Sequence, residues 1–424
     1  MKKMNRTQRG NIQVGIDIGS SKICCVIAEV DPIACEIKLL GIGTVPSEGL
    51  SRASIVHRDR VITQLELAIQ EAETMADLKV EHGWLTVSGE HIRGINTQGA
   101  IAINQQGKNS PVVSEQEIRQ EDVFKVLELA RAISFPIDRE ILHILPQEYL
   151  VDTMNRIQDP VGISGRRLEA RVHLVTVATS TATNLTNCVN ELGIEVDGLV
   201  YQGIASALST LDVDEKDLGV ALVDIGSDIT DVTVYHNDGI RHSGVIPLGS
   251  DTITNDIAVM LQISTVDAEK IKIKYGSAKS SMASPDLEFD IPVKNGGISR
   301  KISEHELARY VEARMVENLQ YVAREISRAD VQEKLTYGVV LTGGGSELAN
   351  LAVLAEETLG MRARIGRPKG ISGVVDIAGE PRYAASLGLL QWTLTHDDHL
   401  VRHYSDFTAK TVFKKFSKWF KEFF

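Results

Sequence analysis

Cysteine is scarce in these 424 residues. Cys24, Cys25, Cys35 and Cys188 are the full set, and no two stand at the spacing of a metal-binding pair. Two of them are adjacent in a β-branched run, so free thiols in a reduced, cytoplasmic setting are expected rather than a disulfide framework. Long apolar runs are missing too. No stretch of ~18–20 apolar residues occurs, which excludes spanning helices. The basic residues 1–11 lack the apolar core of a signal peptide. Positive charge is in the minority, with 45 Lys and Arg against 57 Asp and Glu. That balance argues against a broad nucleic-acid face, and no nucleic-acid partner is expected. Neither a Ser-His-Asp constellation nor an HExxH motif stands out. What remains is an ordinary globular balance over a length that favours two or three domains, or one bilobed body.

Aromatic residues make up only 5% of the chain, yet five of the nine phenylalanines crowd the last twelve positions. From Lys410 onward the tail carries +4 and the remaining body −16. At about 100° per residue, Val412, Phe413, Phe416, Trp419, Phe420, Phe423 and Phe424 fall within an arc of about 140°. Lys410, Lys414, Lys415, Lys418 and Lys421 occupy the opposite side. Residues 408–424 are therefore expected to form an amphipathic helix lying in a membrane interface. A terminal helix packed on protein is the plainer alternative. Residues 396–407 read as a polar linker. His396, His399 and His403 stand there at helical spacing, but no second shell for a metal is implied.

The body alternates strand and helix patterns. Hairpins are expected at 14–18 with 23–30 and at 220–223 with 229–235, and a short strand at 84–87. Helices are expected at 61–75, at 199–211, and at 302–328, where an apolar stripe runs through Leu307, Tyr310, Val311, Met315, Leu319 and Val322. Ser114 with Glu117 resembles a capping box opening a helix that runs to about 132. Asp17-Ile18-Gly19-Ser20 recurs as Asp224-Ile225-Gly226-Ser227, each time between two apolar strands. The repeat predicts two related halves facing each other.

Four elements could carry chemistry. In Gly19-Ser20-Ser21-Lys22 the small residues leave backbone amides open to phosphate oxygens, and Lys22 offers a cation. Asp17 and Asp224 end their strands at the two turns and could share Mg²⁺ through water. Gly343-Gly344-Gly345-Ser346 follows an apolar strand and permits close approach to a flat ligand. Residues 268–276 form a basic helical segment with Glu269 and Lys272. Taken singly, each is as well read as a turn or a solvated helix end.

Together and in this order they resemble the actin, Hsp70 and sugar-kinase ATPase superfamily. The resemblance implies an α/β, duplicated ribonuclease-H-like, two-lobed fold that binds ATP and Mg²⁺. Gly19, Ser20, Ser21 and Lys22 match its first phosphate loop, and Gly226, Ser227 and Asp228 its second. Gly343, Gly344, Gly345 and Ser346 match its adenosine motif. Asp17, Asp224 and Gln202 match its catalytic positions, and Glu269 with Lys272 the adenosine contacts of bacterial actins. The second loop departs from the usual Asp-x-Gly-Gly-Gly-Thr-x-Asp: Ser227 and Asp228 replace two glycines and Ile229 the threonine. A carboxylate beside a γ-phosphate adds like-charge repulsion, so at most weak ATPase activity is expected.

Pro146-Gln147-Glu148-Tyr149, the run from Pro160 to Ala170, and Ile246-Pro247-Leu248-Gly249 with Asp256-Ile257-Ala258 are similar to the FtsA family of bacterial cell-division proteins. That resemblance covers essentially the whole chain. It implies subdomains at 1–84 with 166–198 and a closing helix near 380–395, at 85–165 (displaced and family-specific), at 199–255 with 336–380, and at 256–335. It implies a polymerising adaptor that anchors the FtsZ ring to the cytoplasmic side of the plasma membrane at midcell. Implied partners are the FtsZ C-terminal peptide, docked near Arg300, Glu306 and Arg314, further copies of itself, anionic lipid and other divisome proteins. The alternatives weighed are an actin-like pilus-assembly adaptor of the inner membrane, a small-molecule kinase and an Hsp70-like chaperone. The kinase lacks a candidate base, and the chaperone lacks a β-rich substrate domain.

Overall fold

Two β-branched hairpins, at the expected positions, start the two halves. Ile12–Ile18 pairs antiparallel with Lys22–Asp31, and Val220–Ile225 with Thr230–His236. This computed structural model describes residues 12–103, 116–291, 300–331, 334–373 and 379–395. The amphipathic tail, the linker, its histidines and Ser114 lie outside them. In each half a third strand, Glu36–Pro46 or Gly239–Ile246, extends the hairpin antiparallel. On the other side two strands add in parallel. They are His82–Val87 and Glu195–Tyr201 in the first half, and Val339–Thr342 and Ala363–Ile365 in the second. The order is the same in both sheets, apart from the short edge strand Ile371–Gly373 on the first. The repeated tetrapeptide thus marks a duplicated architecture. Helices cover the sheets, so Val220–Ile225 is buried at every position, as parallel neighbours require.

An insert interrupts the first half, between its strands His82–Val87 and Glu195–Tyr201. Met154–Ile157, Arg139–Val151, Arg167–Ala178 and Arg93–Ala102 form an antiparallel sheet in that order. Helix Gln120–Arg131 covers it with Val123, Val126, Leu127 and Ala130 on Leu168, Ala170, Val172 and Leu174. Contact is close because of Gly99, where a Cβ would stand 2.4 Å from the Val126 carbonyl oxygen. The expected boundary at 165 needs correction: Arg167–Ala178 pairs with insert strands on both sides. Ala178 then passes into helix Thr179–Asn190 with no residue between.

Two helix expectations also change. The segment 199–211 begins in strand Glu195–Tyr201, paired with His82–Val87, and becomes helical only at Gln202. Val200 and Tyr201, β-branched and aromatic, suit that buried strand. The insert helix starts at Gln120, not near Ser114; Glu117 sits in a two-residue strand, and the Asp122 carboxylate accepts the Arg119 backbone N–H at 3.2 Å. Helix Glu304–Ser327 has Leu307, Val311, Met315, Leu319, Val322 and Ile326 buried, with Tyr310 at the edge. Ser303 caps it by accepting from the Glu306 N–H at 3.1 Å. Ala384–Thr395 lies against Gln202–Thr210, and the two helices touch at Gly388, where a Cβ would stand 1.8 Å from the Ala205 carbonyl oxygen.

Candidate functional site

Both repeated turns open on one cleft of 740 Å³ between the halves. At the first, Gly19 N–H bonds the Lys22 carbonyl at 3.0 Å, which closes a tight loop. Asp17 is buried at its base. One carboxylate oxygen takes the Lys22 ammonium at 2.9 Å and the other the Thr86 hydroxyl at 2.7 Å. Burial alone would pull the Lys22 pKa down, but Asp17, with smaller contributions from Cys24 and Tyr383, outweighs it and the net shift is upward. The ammonium also sits 5.3 Å from the centre of the Tyr383 ring. Lys22 is therefore a fixed cation at the mouth of the loop.

At the second turn, Asp224 accepts from the Ser206 hydroxyl at 2.5 Å and from the Gln202 amide at 3.3 Å. Burial raises its pKa, and those two hydrogen bonds oppose the rise. Gly343 packs on this carboxylate with φ 80° and ψ 169°. Gly19, Ser20, Ser21, Gln202, Gly226, Ser227, Asp228, Glu269, Lys272 and Gly343 to Gly345 all line the cleft. Ser346 does not. Its buried hydroxyl donates to the Gly343 carbonyl at 2.7 Å and holds the glycine turn. Lys272 pairs with Glu269 at 2.7 Å and donates to the Thr254 hydroxyl at 2.8 Å.

Asp228, the residue that departs from the superfamily loop, accepts the Arg52 backbone N–H at 2.7 Å. Arg52 and Ala53 form a left-handed turn in the first half, and Ala53 N–H donates to the Ser20 hydroxyl at 3.3 Å. One turn thus touches both loops across the cleft. Residue spacing could not have found Arg52, Thr86, Ser206 or Tyr383, each brought in from a separate segment. Among the described residues no three His, Cys, Asp or Glu side chains gather as a metal cluster, and two carboxylates are what the Mg²⁺ expectation calls on.

Beneath the cleft Asp231 is fully buried, accepts from the Ser88 hydroxyl and leaves its second oxygen unbonded. Burial, then the neighbouring Asp224, pushes its pKa from 3.8 to about 8. The folded chain therefore holds a proton that the unfolded chain releases above about pH 4. The contribution of Asp231 to stability should be greatest below that point, fall as pH rises, and level off above about pH 8. Asp231→Asn, which cannot ionise, is expected to flatten that fall in urea unfolding followed between about pH 5 and 8. Equal slopes for variant and wild type would remove Asp231 as the titrating group.

The expected docking residues are not alike. Arg314 is held by Asp256 through two bonds of 2.6 and 3.0 Å, and by Glu317, so it fastens two helices together. Arg300 and Glu306 are exposed, with Glu306 accepting from the Tyr310 hydroxyl at 3.0 Å. No helix among the described residues is long and apolar enough to cross a membrane.

Comparison with known proteins accords with this geometry. The family profile "Cell division protein FtsA" matches residues 221–388, and "SHS2 domain inserted in FTSA" matches 89–176, the insert. The cell division protein FtsA of Pseudomonas aeruginosa is 37% identical over 391 residues, covering 92% of this chain and 91% of its own length. That of Escherichia coli K12 is 35% identical over 386 residues, 89% of each chain. Two solved structures share the fold at low identity. The PilM-PilN type IV pilus biogenesis complex has a TM-score of 0.61 at 18% identity, covering 90% of this chain and 98% of its own. MreB5 of Spiroplasma citri, solved with ADP bound, has a TM-score of 0.53 at 11%, covering 92% and 98%. Sequence kinship over most of the chain thus runs to the cell-division proteins, and the pilus, kinase and chaperone readings are not favoured. With the duplicated sheets, the matched insert and relatives above one-third identity, the chain belongs to the FtsA family of actin-like cell-division proteins.

Proposed function

We propose that the cleft binds ATP and that the chain is the polymerising adaptor that ties the FtsZ ring to the cytoplasmic side of the plasma membrane at midcell. One observation carries the nucleotide reading: two equivalent hairpin turns, with Asp17 and Lys22 on one and Asp224 on the other, line a single cleft with the Gly343 turn. The residues suit the group. Loop residues are small, Lys22 supplies a cation, and 740 Å³ lies within the usual range for small-molecule pockets. The ADP held by the MreB5 neighbour supports the same assignment. Mg²⁺, held through water by Asp17 and Asp224, would neutralise charge on the phosphate oxygens. Gln202 is the candidate for orienting water, and turnover is slow because Asp228 stands where the superfamily carries glycine. The exposed Arg300 and Glu306 suit a charged peptide such as the FtsZ C-terminus; Arg314 would serve that surface by fixing the helix.

Saturating Mg·ATP is expected to raise the melting temperature, since a ligand at about 100 times its Kd adds about 2.7 kcal/mol to the native state. Lys22→Met removes one charge-assisted bond, worth roughly 1.5–3 kcal/mol, and should weaken ATP about 10- to 100-fold. An unchanged melting temperature in wild type, with no ATP retained on equilibrium dialysis, would sink the nucleotide reading.

A further inference from the structure

A second concavity, of 280 Å³, lies where the insert meets the second half, and its lining is unlike the rest of the molecule. In a chain of net charge −12, four fixed cations line it: Arg156 and Arg171 from the insert, Arg241 and Lys334 from the second half. His236 joins them, and Glu148 is the one acid among the lining residues. Glu148 pairs with Arg171 at 2.7 Å, which leaves the lining a net charge of +3 with His236 neutral.

Arg171 and Arg241 are held in place by hydrogen bonds. Arg156 has φ 57°, a conformation that side-chain-bearing residues seldom adopt, at a register shift between Met154 and Ile157. Such irregularities re-aim a side chain. Arg241 donates through Nε to the His236 carbonyl at 2.9 Å, which fixes the plane of its guanidinium. Among the described residues its Nη groups have no hydrogen-bond acceptor. The cations also act on one another. Burial holds Arg241 below its ordinary pKa; Glu148 opposes this, while Arg171 and Arg156 reinforce it. His236 is lowered by burial and then by Arg241, Lys334 and Arg156. An anion seated among them would relieve that repulsion.

We infer that this concavity is a binding site for a small phosphate-class anion, bridging Arg156 and Arg171 of the insert to Arg241 and Lys334 of the second half. Guanidinium forks match phosphate oxygens two at a time, and three of them with an ammonium suit a multiply charged ligand better than a single carboxylate. The volume is just under the range for drug-sized ligands, which fits an inorganic phosphate or a small phosphate ester. The bound anion adds a charged fastening to the direct bonds already joining the two parts there, Asn96 Nδ2 to the Arg241 carbonyl at 2.9 Å and Gln158 Nε2 to the Asn237 carbonyl at 3.3 Å.

Equilibrium dialysis of the full chain against labelled pyrophosphate, in phosphate-free buffer, tests this. Lys22→Met removes the cation that the nucleotide cleft offers to phosphate, and this variant should still retain pyrophosphate, in the concavity. The double variant Arg156→Ala with Lys334→Ala, both exposed positions, should bind at least ten-fold more weakly. Competition by inorganic phosphate or by glycerol 3-phosphate supports the site, and the stronger competitor identifies the source as inorganic or organic. Three outcomes overturn it: no retention by wild type, retention lost in Lys22→Met but kept in the double variant, or citrate competing more strongly than either phosphate.

Discussion

Gly343→Ala is expected to destabilise the fold by on the order of 4 kcal/mol and to abolish the ATP-dependent rise in melting temperature. Two costs add. With φ 80° and ψ 169°, Gly343 occupies a backbone region open almost solely to glycine, and a side chain there costs about 1–3 kcal/mol. The new Cβ would also stand 2.2 Å from Asp224 Oδ1 and 2.6 Å from the Ile225 carbonyl. Relieving that overlap costs about 1–3 kcal/mol more and moves the carboxylate that faces the cleft. Gly344→Ala is the control. Its Cβ meets nothing nearer than Arg382 at 3.8 Å, and a change within about 1 kcal/mol is expected. Urea unfolding with and without Mg·ATP reads both effects. A Gly343→Ala protein within about 1 kcal/mol of wild type, with its ATP response intact, would contradict the packing argument.

Removing the residues after His403 should release the protein from anionic vesicles, with a fall of three orders of magnitude or more in partitioning. The tail's five lysines contribute on the order of 1 kcal/mol each near an anionic leaflet. Seven apolar side chains share the other face, and a fully buried Phe adds about 1.5–3 kcal/mol. The remaining body carries −16 and is itself repelled by such a surface, so nothing else in the charge pattern offsets the loss. Trp419→Glu, a charge in the middle of the stripe, should have most of the effect of the truncation, and added salt should weaken wild-type binding. Co-sedimentation of the truncated chain at wild-type levels would dispose of the anchor.

Local features were legible in the sequence, and features assembled from distant segments were not. The two hairpins are contiguous, so alternation and turn residues announced them, and the shared tetrapeptide carried the duplication that the strand orders display. The segment 199–211 was read as one helix because Leu199, Val200 and Tyr201 continue the apolar pattern that follows. Parallel pairing with a strand more than a hundred residues earlier decided otherwise. The candidate loops lie on one cleft as expected, yet the partners that orient their carboxylates come from elsewhere. Thr86 reaches Asp17 across 69 residues, and Arg52 reaches Asp228 across 176. Neither spacing has a signature. The cationic concavity joins five separate stretches of chain and was equally invisible.

The strand Arg167–Ala178 gives the insert mechanical leverage over the cleft. At ~3.4 Å per residue its twelve residues form an arm ~40 Å long, paired along both edges and so resistant to bending. The arm ends in helix Thr179–Asn190 with no loop to act as a hinge, and Leu185 of that helix lines the cleft. A push at the far end of the insert therefore arrives at the cleft as a displacement of the helix rather than dissipating in slack. Whatever grips the insert holds a handle on the cleft where the two repeated loops meet.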